Sequence, residues 1–245
     1  MTFNDTTNKN GMIQSCETWL FGNDYGAISS NANLLATFTR LINNGLDEVV
    51  SKILSCDNKW QFDDSNYTDY PIGVTNLVDL QQDYPMAVSQ IKIIAVEVKD
   101  NDGNWRQVQQ LDIKDIQAYN TTITDFMETA GFPLYYDVKA DSLFLYPKPA
   151  LANVTPTNGL KVYFQREPSY FASTDTTKKP GFASIFHDIP VLYACTQYAK
   201  ANSMTSKARE LDAEIQKRVK DMVDFFSKRD ADYKPRMLPR YRLPE

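Results

Sequence analysis

The sequence predicts an α+β protein: a helical bundle built from N- and C-terminal helices, a central antiparallel β-sheet or sandwich inserted between them, and an extended C-terminal arm. Three observations predict it. Apolar residues recur at three and four positions near both ends, the period shortens to two in the middle, and the last residues have neither period but carry Pro235, Pro239 and Pro244. The corresponding segments are residues 1–59 for the N-terminal helices, 60–170 for the β domain, 171–229 for the C-terminal helices packing with the first pair, and 230–245 for the arm.

The first helix is marked by Met12, Ile13, Cys16, Trp19 and Leu20, and it should stop at Gly22, a residue suited to a left-handed cap. A longer amphipathic helix over residues 33–54 places Leu34, Leu35, Phe38, Leu41, Ile42, Leu46, Val49, Val50, Ile53 and Leu54 on one face. Arg40, Asp47, Glu48 and Lys52 fall elsewhere on it.

In the middle of the chain, Ile94, Val96 and Val98 alternate with Ala95, Glu97 and Lys99, the pattern of a strand covered on one face. The turn from Asp100 through Gly103 to Asn104 returns the chain into Trp105 and Val108, and Gly103 can take a positive φ, so these residues predict a hairpin. Leu143 to Tyr146 and Leu160 to Phe164 read as two further strands ended by prolines, with the polar stretch 150–159 as a hairpin loop between them.

Helical period returns after Pro180-Gly181-Phe182. Asp188 is expected to cap a helix with Pro190 in its first turn and Val191, Leu192, Cys195, Tyr198 and Ala199 on its buried side. A second helix over residues 206–229 rests on Ala208, Leu211, Ile215, Val219, Met222 and Phe226, with charges on most other positions.

Composition narrows the function classes. The chain has 245 residues, 42% hydrophobic, 12% aromatic and 23% charged, which is enough material for a sizeable core. With 26 basic against 31 acidic residues the net charge is −5, the wrong sign for a protein whose main task is to neutralise nucleic-acid phosphates. No apolar run reaches the roughly 20 residues of a membrane helix. The polar residues 1–10 lack the basic start and apolar stretch of a secretory signal. Cys16, Cys56 and Cys195 are too scattered for a disulfide framework or a zinc cluster, which points to a reduced intracellular setting.

Catalytic arrangements find little support. His187 is the only imidazole, so any triad or His-based metal site must use it, and its place before a helix gives it an ordinary structural use. The glycine loops of nucleotide-binding proteins, a GxSxG elbow and an HExxH helix are all missing from the sequence. Acidic pairs do occur, at Asp63 and Asp64 with Asp69 and at Asp100 with Asp102. The first group lacks the glycine and final Glu of a calcium loop, and turn propensity explains the second. No catalytic residue, metal ligand or cofactor is assigned, and the protein is read as not an enzyme.

Two features point to binding instead. Tyr135, Tyr136, Phe144, Tyr146, Tyr163 and Phe164 serve either as core or as a stacking surface for sugars or bases. In the arm, Tyr233, Met237, Leu238, Tyr241 and Leu243 are mixed with Arg236 and Arg240, a set of interface-anchor types that is unfavourable to leave in water as one cluster. At roughly 3.1 to 3.3 Å per residue, the stretch from Pro235 spans on the order of 35 Å, enough to reach another subunit.

The order of these elements also resembles a known family. Gly131-Phe132-Pro133-Leu134-Tyr135-Tyr136 leads into Leu143-Phe144-Leu145-Tyr146-Pro147-Lys148-Pro149, then Leu160-Lys161-Val162-Tyr163-Phe164-Gln165-Arg166-Glu167-Pro168. Together with Pro180-Gly181-Phe182 and the helix from Asp188, this is similar to the head-to-tail adaptor (connector ring) proteins of tailed bacteriophages over most of residues 10–229. The asparagine-rich, low-glycine style resembles the neck ring proteins of short-tailed, crAss-like phages.

The resemblance implies a structural virion protein at the head-tail junction, made in the host cytoplasm. It implies a homo-oligomer, usually a twelvefold ring, that meets the portal protein and other neck or tail proteins. DNA would pass through its channel without sequence-specific binding, and terminal arms would clasp neighbours or the portal. A mildly acidic subunit suits such a conduit, since like-charged walls let a duplex slide. The alternatives are a carbohydrate- or receptor-binding module of a phage tail built on the aromatic sheet, and a metal-assisted hydrolase using Asp63, Asp64, Asp100 and Asp102.

Overall fold

The computed structural model of the chain describes residues 1–22, 24–56, 69–87, 90–111, 125 and 128–227. Two compact units divide the chain, one drawn from Met1–Asn66 with Pro168–Glu245 and the other from Tyr67–Glu167. Among the described residues, four α-helices belong to the first unit and a seven-stranded sheet to the second, which makes the fold α+β.

In the helical unit, α1 is Met12–Phe21, α2 Ala32–Cys56, α3 Asp188–Ala201 and α4 Thr205–Ser227. Helix α1 stops as its sequence predicts, with Gly22 at φ 63°, ψ 44°, the left-handed conformation that costs glycine no Cβ strain. Helix α2 begins at a cap that hydropathy does not reveal. The Asn31 Oδ1 accepts the backbone N–H of Asn33 at 3.1 Å and of Leu34 at 3.2 Å, which satisfies two donors that a helix start leaves over.

The apolar stripe of α2 is buried at Phe38, Leu41, Ile42, Leu46, Val49, Val50 and Ile53. Helix α3 packs on α1, α2 and α4 and is buried nearly all round, at Ile189, Val191, Leu192, Ala194, Cys195 and Ala199. Helix α4 buries Ala208, Leu211, Ile215, Met222 and Phe226 on its single stripe. These side chains form one continuous apolar core, which Phe3 also enters. The start of the chain is tied to that core. The Phe3 N–H donates to the Lys178 carbonyl at 2.8 Å, and its ring stacks on Phe171 with centroids 4.7 Å apart.

One expected cap is absent. Asp188 is the first helical residue of α3, while His187 stands at the cap position with αR backbone and makes no side-chain capping bond. The reason is local: a 3-10 turn over Ser184–Phe186 runs straight into the helix, so the backbone is already helical at Asp188. The carboxylate is used elsewhere, its Oδ2 accepting from Arg218 Nε on α4 at 2.7 Å.

The sheet unit contains β1 Ile72–Thr75, β2 Asp83–Pro85, β3 Gln90–Lys99, β4 Trp105–Gln110, β5 Ala130–Gly131, β6 Tyr135–Lys139, β7 Ser142–Tyr146, β8 Lys148–Pro149 and β9 Leu160–Arg166. The order in the large sheet is β1-β9-β3-β4-β6-β7-β2, and β5 pairs with β8. The β3–β4 hairpin forms as predicted, antiparallel with Val96 opposite Val108, and Gly103 in its turn has φ 86°. Its inward positions, Val96, Val98 and Val108, join Leu143, Leu145, Leu160 and Val162 in a second apolar core.

Two expectations about the sheet are overturned. The large sheet is not purely antiparallel, because β4 runs parallel to β6, and the separate β5–β8 pair is parallel as well. The connection from Gln110 to Tyr135 is longer than the dozen or so residues a parallel crossover needs, so the chain can return to the same end of the sheet. Nor is residues 150–159 a hairpin loop between β7 and β9. Strand β9 pairs with β3 and β1, while β7 pairs with β6 and β2. The stretch instead carries the chain across the sheet, held by the Thr155 hydroxyl donating to the Asp100 carbonyl at 2.6 Å.

Candidate functional site

His187 is buried in the helical unit. The Met1 amine donates to its Nδ1 at 3.2 Å and its Nε2 lies 2.9 Å from the Phe182 carbonyl. The Phe182 ring meets the imidazole edge-on at 5.4 Å. Burial, and after it the charges of the amino terminus and Lys179, hold its pKa below the ordinary histidine value. Both ring nitrogens are thus engaged, and the residue serves packing at the start of α3.

The acidic groups are divided in the same way. Asp63 and Asp64 lie outside the described residues. Asp100 organises its own turn: Oδ1 accepts the N–H of Asn104 at 2.8 Å and of Asp102 at 3.1 Å, and Oδ2 accepts from Arg106 Nε at 2.8 Å. The Asn104 N–H first, and then the Arg106 guanidinium, hold its carboxyl below the usual carboxylate range. Among the described residues there is no group of three or more His, Cys, Asp or Glu able to hold a metal ion. The Cys16 thiol is pushed well above its ordinary pKa by burial, with Cys195 beside it, so it stays neutral.

The sheet aromatics are buried or half-buried. Tyr136 and Tyr146 are core residues, and Tyr135, Phe144, Tyr163 and Phe164 are intermediate. The ring that sequence reasoning passed over is Trp105. Lys161 Nζ lies 3.9 Å from its centroid and Lys99 Nζ 5.7 Å, while Glu97 Oε2 accepts the Tyr163 hydroxyl at 2.9 Å and pairs with Lys161 at 3.4 Å. The two lysines lie against the half-buried indole by cation–π contact.

In the helical unit, aromatic side chains gather where α4 ends. Phe186 meets Phe225 at 5.4 Å and Phe226 at 6.1 Å, and the two adjacent rings lie 5.2 Å apart at right angles. Phe226 is buried, whereas Phe225 is 44% and neighbouring Ile185 58% exposed. The arm begins just beyond this end of α4. Its anchor residues Tyr233, Arg236, Met237, Leu238, Arg240, Tyr241 and Leu243 lie outside the described residues.

The family model for SU10 adaptor protein matches residues 7–237, nearly the whole chain. The chain belongs to the SU10 adaptor protein family. No curated protein matches the sequence. As a phage adaptor, it is a structural protein of the virion's head-tail junction and associates with other phage head and tail proteins. Among the described residues, no helix is long and apolar enough to cross a membrane.

Proposed function

We propose that this adaptor assembles into a ring, of twelve copies, that joins the portal protein to the tail and continues the DNA channel without sequence-specific contacts or catalysis. Residues 1–59 and 171–229 act as its helical body, residues 60–170 as its β domain and residues 230–245 as an arm that docks on another protein of the neck, a neighbouring copy or the portal. The observation that carries this reading is the family match, which runs through both helical segments and the sheet and on into the arm as far as residue 237. The net charge of −5 supports a conduit in which a duplex slides. The arm's aromatic, arginine and methionine residues are types enriched at protein interfaces, and its prolines lower the entropy lost on docking.

Truncation after Arg229 tests the reading. The shortened chain is expected to be folded and soluble, with an unchanged melting transition, but unable to join the neck, so that particles complemented with it are not infectious. Infectious particles built on the truncated chain would overturn the role given to the arm.

A further inference from the structure

The large sheet ends in two edge strands that differ in how they are guarded. At one end β2 carries Asp83 and Pro85, a charge and a residue without an N–H, both of which discourage further pairing. At the other end β1 reads Ile72-Gly73-Val74-Thr75, with no charge and no proline, and among the described residues β9 is its one neighbour in the sheet. Val74 is 47% exposed and Tyr70, two residues before the strand, 68%.

The ladder shows which backbone groups this edge offers. The Phe164 N–H donates to the Pro71 carbonyl at 3.1 Å. Antiparallel pairs alternate between hydrogen-bonded and non-hydrogen-bonded positions. Gly73 opposite Val162 is therefore the next bonded pair, and at Val74, opposite Lys161, the N–H and C=O point away from β9. The edge thus presents a donor and an acceptor at Val74, whose side chain shares one face of the strand with Ile72.

We propose that this edge is the seat of the C-terminal arm of a second copy of the chain, whose residues 240–243 add to β1 as a further strand. The inference rests on the docking role of the arm given above and names the surface that receives it. Pro239 and Pro244 bracket Arg240-Tyr241-Arg242-Leu243, and proline cannot continue a ladder, so the added strand is four residues long, the length of β1. Within it arginine alternates with Tyr241 and Leu243, the two-residue period of a strand with one apolar face. That face covers Ile72 and Val74, while main-chain hydrogen bonds to Val74 supply the affinity, as in strand addition generally.

The test uses assembled particles carrying an equal mixture of two full-length chains, one with Val74→Cys and one with Tyr241→Cys, both with Cys56→Ser. Mild oxidation is expected to give a disulfide-linked dimer from the mixture and none when Asp83→Cys on β2 replaces Val74→Cys. In unsubstituted particles, the Val74 amide is expected to exchange at least about tenfold more slowly than in the free chain. Failure to form the dimer together with an unchanged Val74 exchange rate overturns the proposal, as does an equal yield with the β2 partner. Exchange of residues 233–243 in the same particles separates the two ideas. An arm protected without the β1 signals docks elsewhere, and only this inference fails. An arm as exposed as in the free chain removes the docking role as well.

Discussion

Gly45 on α2 faces Pro190 on α3 so closely that a Cβ at that position would stand 2.8 Å from the Pro190 carbonyl oxygen and 2.9 Å from the Tyr193 Cβ. These are backbone and near-backbone atoms, which cannot swing aside, so the two helices approach through the missing side chain. Gly45→Ala, which would favour an isolated helix by about 1 kcal/mol, is expected to destabilise this protein instead. A loss of about 1–3 kcal/mol in urea unfolding is the expected result.

Glu17 supports the turn between α1 and α2 from beneath. Its Oε1 accepts the N–H groups of Gly26 at 3.1 Å, Ile28 at 2.9 Å and Ser29 at 2.8 Å, and the side chain is fully buried. Glu17→Ala leaves three donors without this acceptor and is expected to cost about 3 kcal/mol or more in the same measurement. Glu17→Gln keeps an amide oxygen in place and is expected to cost clearly less.

How far the sequence reveals this architecture depends on the kind of signal. The four helices are legible because their buried stripes repeat every three or four residues, and the β3–β4 hairpin because alternation brackets a turn with Gly103. Strand partnership is not legible. A period of two says which side chains of β9 face the core but not that the strand beside it is β3 instead of β7, a choice made by contacts between distant segments. Glu17 and Asn31 are missed for a related reason: a polar residue, whether inside a short helix like Glu17 or just before one like Asn31, looks solvated until the backbone groups it serves are in place. Of the candidate site residues, the structure shows that His187 and Asp100 serve local geometry. The edge of β1 carries no sequence signal, since an edge exists only once the sheet order is known.

Leu46 is buried in the α2 stripe. Leu46→Asp places an unpaired charge there and is expected to cost several kcal/mol, on the order of the whole stability of a domain, leaving the protein insoluble. Recovery of soluble protein with a native melting transition would contradict the burial of this face.

His187 gives the protein a pH dependence of defined sign. Its folded pKa is depressed, so an unfolded chain binds the proton near pH 6.5 while the folded chain binds it only at lower pH. Between these values the unfolded state holds more protons and stability rises with pH. The contribution is present above about pH 6.5 and is lost as pH falls through the folded value. Urea midpoints measured from pH 7.5 to pH 5 are expected to fall, and His187→Asn is expected to flatten that slope while leaving virion assembly intact.

Whether this chain links head and tail is read from electron micrographs of particles made when its gene is silenced. Heads without attached tails are expected, with complete virions restored when the full-length chain is supplied in trans. Complete, tailed virions assembled in its absence would rule out this role.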